Sequence, residues 1–338
     1  MKIKNQYSLK NLTTFGNNVY TKEFIEISST GEIQELIADR PLFKSRIFVL
    51  GGGSNVLFTK DFDGLIINNL IHEIKIVEED NESCVVEAGA GVKWDDLVQF
   101  CVERNLGGIE NLSAIPGTVG AAPIQNIGAY GQELKETFYE LKGVDIKMGE
   151  RAVFNKSECK FSYRDSVFKN ELRNKFIIAS VKLKLSKNPI INFSYKPVRE
   201  ELQRRNINRP TIKDIREIII FIRISKLPDP KNLGNAGSFF KNPIITKDKL
   251  EELIKSYRNL KHFPVNENSV KIPAAWLIEE CGWKGKRIGN VGTYEKQPLV
   301  LVNYGGASGK EILDLSIKIR NSVQSEFGVV LENEVLVL

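Results

Sequence analysis

The sequence predicts a mixed α/β protein of two or three domains, and three observations carry that reading. The chain has 338 residues, more than one ordinary core organises. Strand-sized apolar runs at residues 46–50, 64–68, 74–78, 83–87, 144–147 and 176–185 alternate with stretches of helical periodicity at 30–38, 92–102 and 197–205. A segment with two prolines, Ser225-Lys-Leu-Pro-Asp-Pro-Lys231, then interrupts the chain as a linker or hinge.

Beyond that hinge the pattern predicts helices over 247–257, 274–281 and 309–327, a strand over 298–303 and a last strand over 331–335. Residues 212–224 read as a helix followed by a strand, because Ile218-Ile-Ile-Phe-Ile222 is strand-sized and β-branched. That run is the densest apolar stretch and falls short of the roughly 18 residues a membrane span needs. The N-terminal residues lack the apolar core of a secretory signal.

Composition narrows the function. The 42% hydrophobic and 27% charged content is that of a soluble globular protein. Cys84, Cys101, Cys159 and Cys281 are scattered and read as reduced, buried thiols of a cytoplasmic protein, with no disulfide framework and no metal site. His72 and His262 are the two histidines, which disfavours His-based catalysis. The net charge of +6 is spread along the chain, so it argues against a nucleic-acid surface and fits small phosphorylated ligands.

Two glycine-rich stretches give that ligand a place. Gly51, Gly52 and Gly53 follow a β-rich run and lead into Ser54, Asn55 and a second extended run. Glycines let backbone N–H groups converge on an anion, while Ser and Asn add hydrogen-bonding groups. No helix opens from this loop, so it is neither a Walker A nor a Rossmann loop; the plain alternative is a glycine-rich hairpin without a ligand. Gly89 and Gly91 are turn glycines. The second stretch, residues 111–131, contains Gly117, Thr118, Gly120 and Ala121 and too few large side chains to fill a core. It suits backbone laid against a flat ligand or a second phosphate, or close packing of small residues. Two such loops roughly sixty residues apart suit a dinucleotide with a pyrophosphate.

Three more places stand out. Tyr163-Arg164-Asp165 is either a surface turn with a local salt bridge or a preorganised guanidinium. Gly234-Asn-Ala-Gly-Ser238 delivers one hydroxyl in a run of small residues, followed by Phe239, Phe240, Lys241 and Asn242; the plain reading is a tight turn with a capping serine. The last strand carries Glu334, where a carboxylate normally faces solvent. From the residues alone, the reading ends at an α/β enzyme that binds a phosphorylated cofactor and has a mobile cap.

In this order, the 51–55 loop, residues 115–131, Tyr163–Asp165, Ser225–Pro230, Gly234–Pro243 and Leu331–Val335 resemble the UDP-N-acetylenolpyruvoylglucosamine reductase family, commonly called MurB, over essentially the whole chain. The stretch around Tyr195 resembles the subtype with a tyrosine-bearing substrate loop. The resemblance implies an α+β protein. Its FAD-binding domain would be two-lobed and of the vanillyl-alcohol-oxidase (PCMH) type, joined to a C-terminal α/β substrate-binding domain. The implied boundaries are 1–67 with 329–338 for the first FAD lobe, 68–226 for the second (PCMH-type region about 17–189), and 227–328 for the substrate domain.

It also implies an NADPH-dependent, FAD-mediated reduction of UDP-N-acetylglucosamine enolpyruvate to UDP-N-acetylmuramate, in peptidoglycan synthesis for cell wall, cell shape and division. Arg164 matches the family's arginine facing the enolate, Ser238 its general acid and Glu334 its catalytic glutamate. A carboxylate beside an enolate would repel it, so Glu334 is expected protonated or sharing a proton. Tyr195 and Lys226 are expected near the diphosphate, Asn242 and Gln297 at the uridine end or the phosphates, and Lys284 is a further substrate-binding candidate. FAD is expected non-covalent, held by residues 51–55 and by Gly117, Thr118, Gly120 and Ala121, with NADPH and the sugar nucleotide taking turns in one cleft. A cytoplasmic monomer that binds neither nucleic acid nor membrane is expected. The rivals are a flavin oxidase of the same fold and a non-catalytic nucleotide sensor.

Overall fold

A computed structural model of the chain describes residues 2–44 and 46–338. Contacts divide it into two units. Residues 2–7, 21–53 and 62–225 form the first, and residues 8–20, 54–61 and 226–338 the second.

The first unit is built on two sheets. One runs in the order Lys4–Ser8, Tyr20–Ile27, Phe62–Asn69, Ile47–Leu50. Phe62–Asn69 pairs in parallel with the strands on both sides. The other sheet is antiparallel, in the order Arg151–Asn155, Phe138–Asp145, Phe176–Ser186, Ser83–Gly89, Ile74–Glu79. Helix α1 (Thr30–Asp39) starts at Ser29, whose side chain accepts from the Glu32 N–H. Its buried Ile33 and Leu36 join Ile25, Ile27, Leu65 and Ile67 of the first sheet and Val144, Ile177 and Ala179 of the second in one core. Helix α2 (Trp94–Glu103) buries Trp94, Leu97, Val98 and Cys101 in another core of the same unit.

Helix α3 (Lys196–Arg204) and helix α4 (Ile212–Lys226) pack on each other through Val198, Leu202, Ile215, Ile218, Ile219 and Ile222. The strand expected within 212–224 is therefore helix. Positions 212, 215, 218, 219 and 222 recur at helical spacing and are the buried ones. Each full burial contributes roughly 1.5–3 kcal/mol, against a helix-propensity cost of at most about 0.7 kcal/mol for a β-branched residue. Burial decides the outcome. The strand expected at 144–147 also differs: it spans Phe138–Asp145, and Ile146 onward turns.

The second unit carries an antiparallel sheet in the order Gly234–Ser238, Gln297–Asn303, Val291–Tyr294, Arg287–Ile288. Helices α5 (Lys247–Ser256), α6 (Ala274–Glu280) and α7 (Gly309–Phe327) share its core. Helix α7 has the bounds its sequence signals predict. Ser308 and Glu311 form a reciprocal capping box, and Gly328 ends the helix at φ 65°. The chain's last strand is Leu336–Val337, paired in parallel with Val56–Leu57. It lies later than expected, so Glu334 sits at a bend before it.

Among the described residues no helix is long and apolar enough to cross a membrane, and no cluster of His, Cys, Asp or Glu is arranged for a metal. Cys84, Cys101 and Cys159 are buried, whereas Cys281, expected buried, is half-exposed.

Candidate active site

In the first unit, strand Ile47–Leu50 ends in Gly51, Gly52 and Gly53, and the loop meets the second glycine-rich stretch backbone to backbone. A Cβ on Gly51 would lie 2.6 Å from Thr118 Oγ1 and 3.2 Å from Ala121 Cβ. One on Gly52 would lie 2.9 Å from Gly117 Cα, and one on Gly120 2.5 Å from Ala90 Cβ. Larger residues would wedge these segments apart. Residues 117–120 are in turn fixed to the turn before α2. Trp94 N–H donates to Gly117 O (3.0 Å), Val119 N–H to Val92 O (2.8 Å) and Gly120 N–H to Ala90 O (2.9 Å). Only Val119 of this stretch is fully buried, which leaves the faces of Gly117, Thr118, Gly120 and Ala121 partly open. A surface of bare backbone on two joined loops suits the pyrophosphate and ring edge of a dinucleotide. Gly51, Gly52, Gly117, Thr118, Gly120 and Ala121 are thus brought together as expected of a flavin cradle.

Arg164 sits in a tight turn at φ 56°, a left-handed conformation that non-glycine residues seldom adopt. Its Nη2 donates to Gly128 O at 2.7 Å. The Asp165 carboxylate of the same turn accepts from Asn170 Nδ2 at 2.9 and 3.0 Å. Backbone thus takes part in orienting the guanidinium.

Tyr195 precedes α3 and stacks edge-to-face on Tyr130, 5.3 Å between ring centres. Burial pushes both phenols above their ordinary values. Desolvation holds the guanidinium of Arg223, on α4, below its usual value, offset in part by the charge of Tyr130. Arg216, also on α4, makes a two-pronged bond to Asp95 of α2 at 2.6 and 2.9 Å. Asp95 also accepts from the Ala114 N–H (2.6 Å). Desolvation pushes the Asp95 carboxyl up, but its hydrogen bonds with Arg216 and Ala114 outweigh that and hold it below its usual value. These contacts fix the tyrosine-bearing segment against the small-residue loop. Sequence reasoning passed over Tyr130, Arg216, Arg223 and Asp95, because each partner is distant in the chain.

In the second unit, Gly234–Ser238 is a strand with an irregular register between Asn235 and Ser238, not a plain tight turn. Gly237 at φ 67° makes the bulge. The buried Asn235 braces it, accepting from Gly237 N–H and donating to Pro228 O and Leu233 O. Such a bulge re-aims the next side chain, here Ser238, which the fully buried Phe239 and Phe240 anchor from the other side. The C-terminal segment runs alongside: Glu334 N–H donates to Phe239 O (2.8 Å) and Lys241 N–H to Glu332 O (2.9 Å). Asn55 Nδ2 donates to Glu334 O (3.3 Å), and Leu336 N–H to Asn55 O (3.1 Å). Asn55, Ser238 and Glu334 therefore share one neighbourhood, with Ser54 next to Asn55 in the chain.

The remaining expected residues are more dispersed. Lys226 is the exposed last residue of α4. Asn242 Oδ1 accepts from Ala274 N–H at the start of α6 (2.9 Å), a helix-capping duty. Gln297 begins the strand Gln297–Asn303. Lys284 is exposed and ion-paired with Glu279 at 2.7 Å.

Comparison with known proteins bears on both units. Residues 22–152 match a family model described as an FAD binding domain. The first unit is thus that of an FAD-binding flavoprotein. Residues 229–338 match the C-terminal domain of UDP-N-acetylenolpyruvoylglucosamine reductase. Proteins named UDP-N-acetylenolpyruvoylglucosamine reductase are 47% identical in Flavobacterium johnsoniae, over 100% of both chains, and 44% identical in Pseudomonas syringae pv. syringae, over 99% of this chain and 98% of that one. The crystal structure of the reductase from Thermus caldophilus shares the fold, with a TM-score of 0.70 at 23% identity over 100% of this chain and 99% of that one. This chain belongs to the UDP-N-acetylenolpyruvoylglucosamine reductase family.

Proposed function

We propose that this chain reduces UDP-N-acetylglucosamine enolpyruvate to UDP-N-acetylmuramate in peptidoglycan precursor synthesis, with non-covalent FAD as cofactor and NADPH as co-substrate. The observation that carries the reading is the bulged strand that presents Ser238 beside the segment bearing Glu334, in a family member whose other unit offers a bare-backbone cradle.

Gly51, Gly52, Gly53, Ser54, Asn55, Gly117, Thr118, Gly120 and Ala121 would hold the FAD. When bound, FAD supplies the hydride chemistry, accepting from NADPH and donating to the terminal carbon of the enol ether. The chain's own residues manage what that leaves behind. Arg164 offers fixed positive charge to the enolate and its carboxylate, and the bond to Gly128 O holds the guanidinium in place before substrate arrives. Ser238 gives the Oγ proton to carbon 2 and recovers one afterwards. A hydroxyl is a weak acid, but an enolate carbon is a strong base and close placement makes the transfer feasible. Glu334, on the segment that runs beside Ser238, is assigned to the same intermediate.

Tyr195 and Lys226 are assigned to the diphosphate, Asn242 and Gln297 to the uridine end or the phosphates, and Lys284 to the substrate without a fixed place. The capping bond of Asn242 and the ion pair of Lys284 leave these two the least supported by their surroundings. Residues 1–67 with 329–338, 68–226 and 227–328 are read as two FAD lobes and a substrate domain, in a cytoplasmic monomer.

Anaerobic half-reactions test the reading. In wild type the flavin band bleaches with NADPH and returns with the enol ether. Ser238→Ala should bleach normally and return at least about a hundred-fold more slowly; a return within a few-fold of wild type removes Ser238 as the acid. A band that returns only with oxygen replaces the reductase by an oxidase.

A further inference from the structure

We propose that Asn126 is a positioning residue for the reduction, holding the turn that aims the Arg164 guanidinium; this rests on the reading of Arg164 as the enolate's counter-charge. Asn126 is fully buried at φ 44°, ψ 67°, in the left-handed region that asparagine tolerates better than most residues. All three of its side-chain bonds are made. Nδ2 donates to Ser162 O (3.0 Å) and to Glu133 Oε2 (2.9 Å), and Oδ1 accepts from Lys135 N–H (3.0 Å).

The bonds to Glu133 and Lys135 brace the loop of Asn126 itself. The bond to Ser162 reaches out of that loop to the start of the arginine turn. Within that turn, Ser162 and Asp165 exchange backbone bonds of 3.2 and 3.3 Å around a left-handed Arg164. Lys169 Nζ donates to Arg164 O (3.2 Å) and Asn170 Nδ2 to the Asp165 carboxylate on one side of it, and residues 124–128 anchor it from the other. Ser166 Oγ donates to Ile124 O (2.7 Å), Asn126 holds Ser162 O, and Arg164 Nη2 donates to Gly128 O (2.7 Å). Gly128 keeps the approach open, since a Cβ there would lie 3.2 Å from Arg164 Nη1. Asn126 sits two residues from Gly128, so one short stretch fixes both the base of the turn and the tip of the guanidinium.

Asn126→Asp keeps the shape and the acceptor for Lys135 while removing both donors. Asn126→Gly keeps the left-handed backbone and covers the case in which the carboxylate prevents folding. In FAD-loaded protein, both variants should slow flavin reoxidation by the enol ether by at least about ten-fold, within the hundred-fold that a small misplacement costs. FAD affinity and flavin reduction by NADPH should stay within two-fold. In the flavin-free protein, amide exchange over residues 160–166 should rise. Added to Arg164→Lys, Asn126→Gly should cost little more, because both act through one group.

Unchanged reoxidation or unchanged exchange in both variants, with Arg164→Lys still slow, overturns the positioning role and leaves Arg164 standing. Loss of FAD affinity with both half-reactions slowed assigns Asn126 to the cofactor loop and equally overturns it. Unimpaired reoxidation in Arg164→Lys itself sinks the reading of Arg164 and this inference with it.

Discussion

Replacing Gly52 by alanine tests whether the close approach of the two glycine loops is what holds the flavin. The new Cβ would stand 2.9 Å from Gly117 Cα, 3.3 Å from its C and 3.5 Å from its N. Carbon atoms pack best from about 3.5 Å outward, so the nearest contact is short by roughly 0.6 Å. The obstacle is backbone and cannot swing away. Residue 117 is pinned by the Trp94 N–H to Gly117 O bond and residue 119 by its bond to Val92 O. The 51–53 loop must therefore shift. Overpacking of this kind costs about 1–3 kcal/mol. If that cost falls on cofactor binding, FAD affinity drops roughly 5- to 150-fold. Flavin fluorescence quenching on titrating the apoprotein measures it directly. Gly31→Ala is the control: only Ser29 Oγ lies within 4 Å of its added Cβ, at 3.7 Å, and its position in α1 favours alanine. Gly52→Ala protein that binds FAD as tightly as the control refutes the cradle, even if its melting temperature falls.

Two further perturbations bear on the α3–α4 segment. Asp95→Ala and Arg216→Ala each break the two-pronged bond between α2 and α4 and should each lower stability by about 1–3 kcal/mol. The double variant should cost less than the sum, by denaturant unfolding, and full additivity refutes the pairing. The second concerns acid. The bond from Arg204, joined by that from Arg205, holds the Glu201 carboxyl down from 4.5 to about 2. A lowered carboxyl stabilises the fold fully above its unfolded value, and the benefit fades as pH falls through the folded one. The stability gap between wild type and Glu201→Gln should thus shrink between about pH 4.5 and pH 2; a gap constant over that range refutes the assignment.

What the sequence made legible follows from how local the cause was. Helix α7 could be bounded because its start, Ser308 with Glu311, and its stop, Gly328, are written within the helix's own ends. The glycine loops were legible because only bare backbone explains so many small residues, and the structure does press Gly52 onto Gly117. The run at 218–222 misled because β-branched composition was weighed above spacing, and it is spacing that decides which isoleucines α3 can cover. The strand Phe138–Asp145 was obscured by Gly143 in its interior, whose added Cβ would strike Ile177 O. That glycine exists for a neighbour more than thirty residues away, and no local pattern announces it.

The same limit governs the candidate site. A serine or a glutamate gives no sign of whether a bulge will aim it or a bend will turn it. For Ser238 the aim depends on Gly237 and the brace of Asn235, and for Glu334 on the backbone of Phe239. Groups proposed to touch the reacting atoms are chemically distinctive, so a resemblance can point to them. The groups that orient them are ordinary amides and carbonyls that gain a role only from distant partners. Asn126 reads as a plain loop residue until Ser162, thirty-six positions on, is seen accepting its proton. On the proposed assignment, the placement of Arg164 runs through backbone carbonyls such as Gly128 O and Ser162 O. Substitutions aimed at those contacts, not at the reacting side chains, separate placement from chemistry.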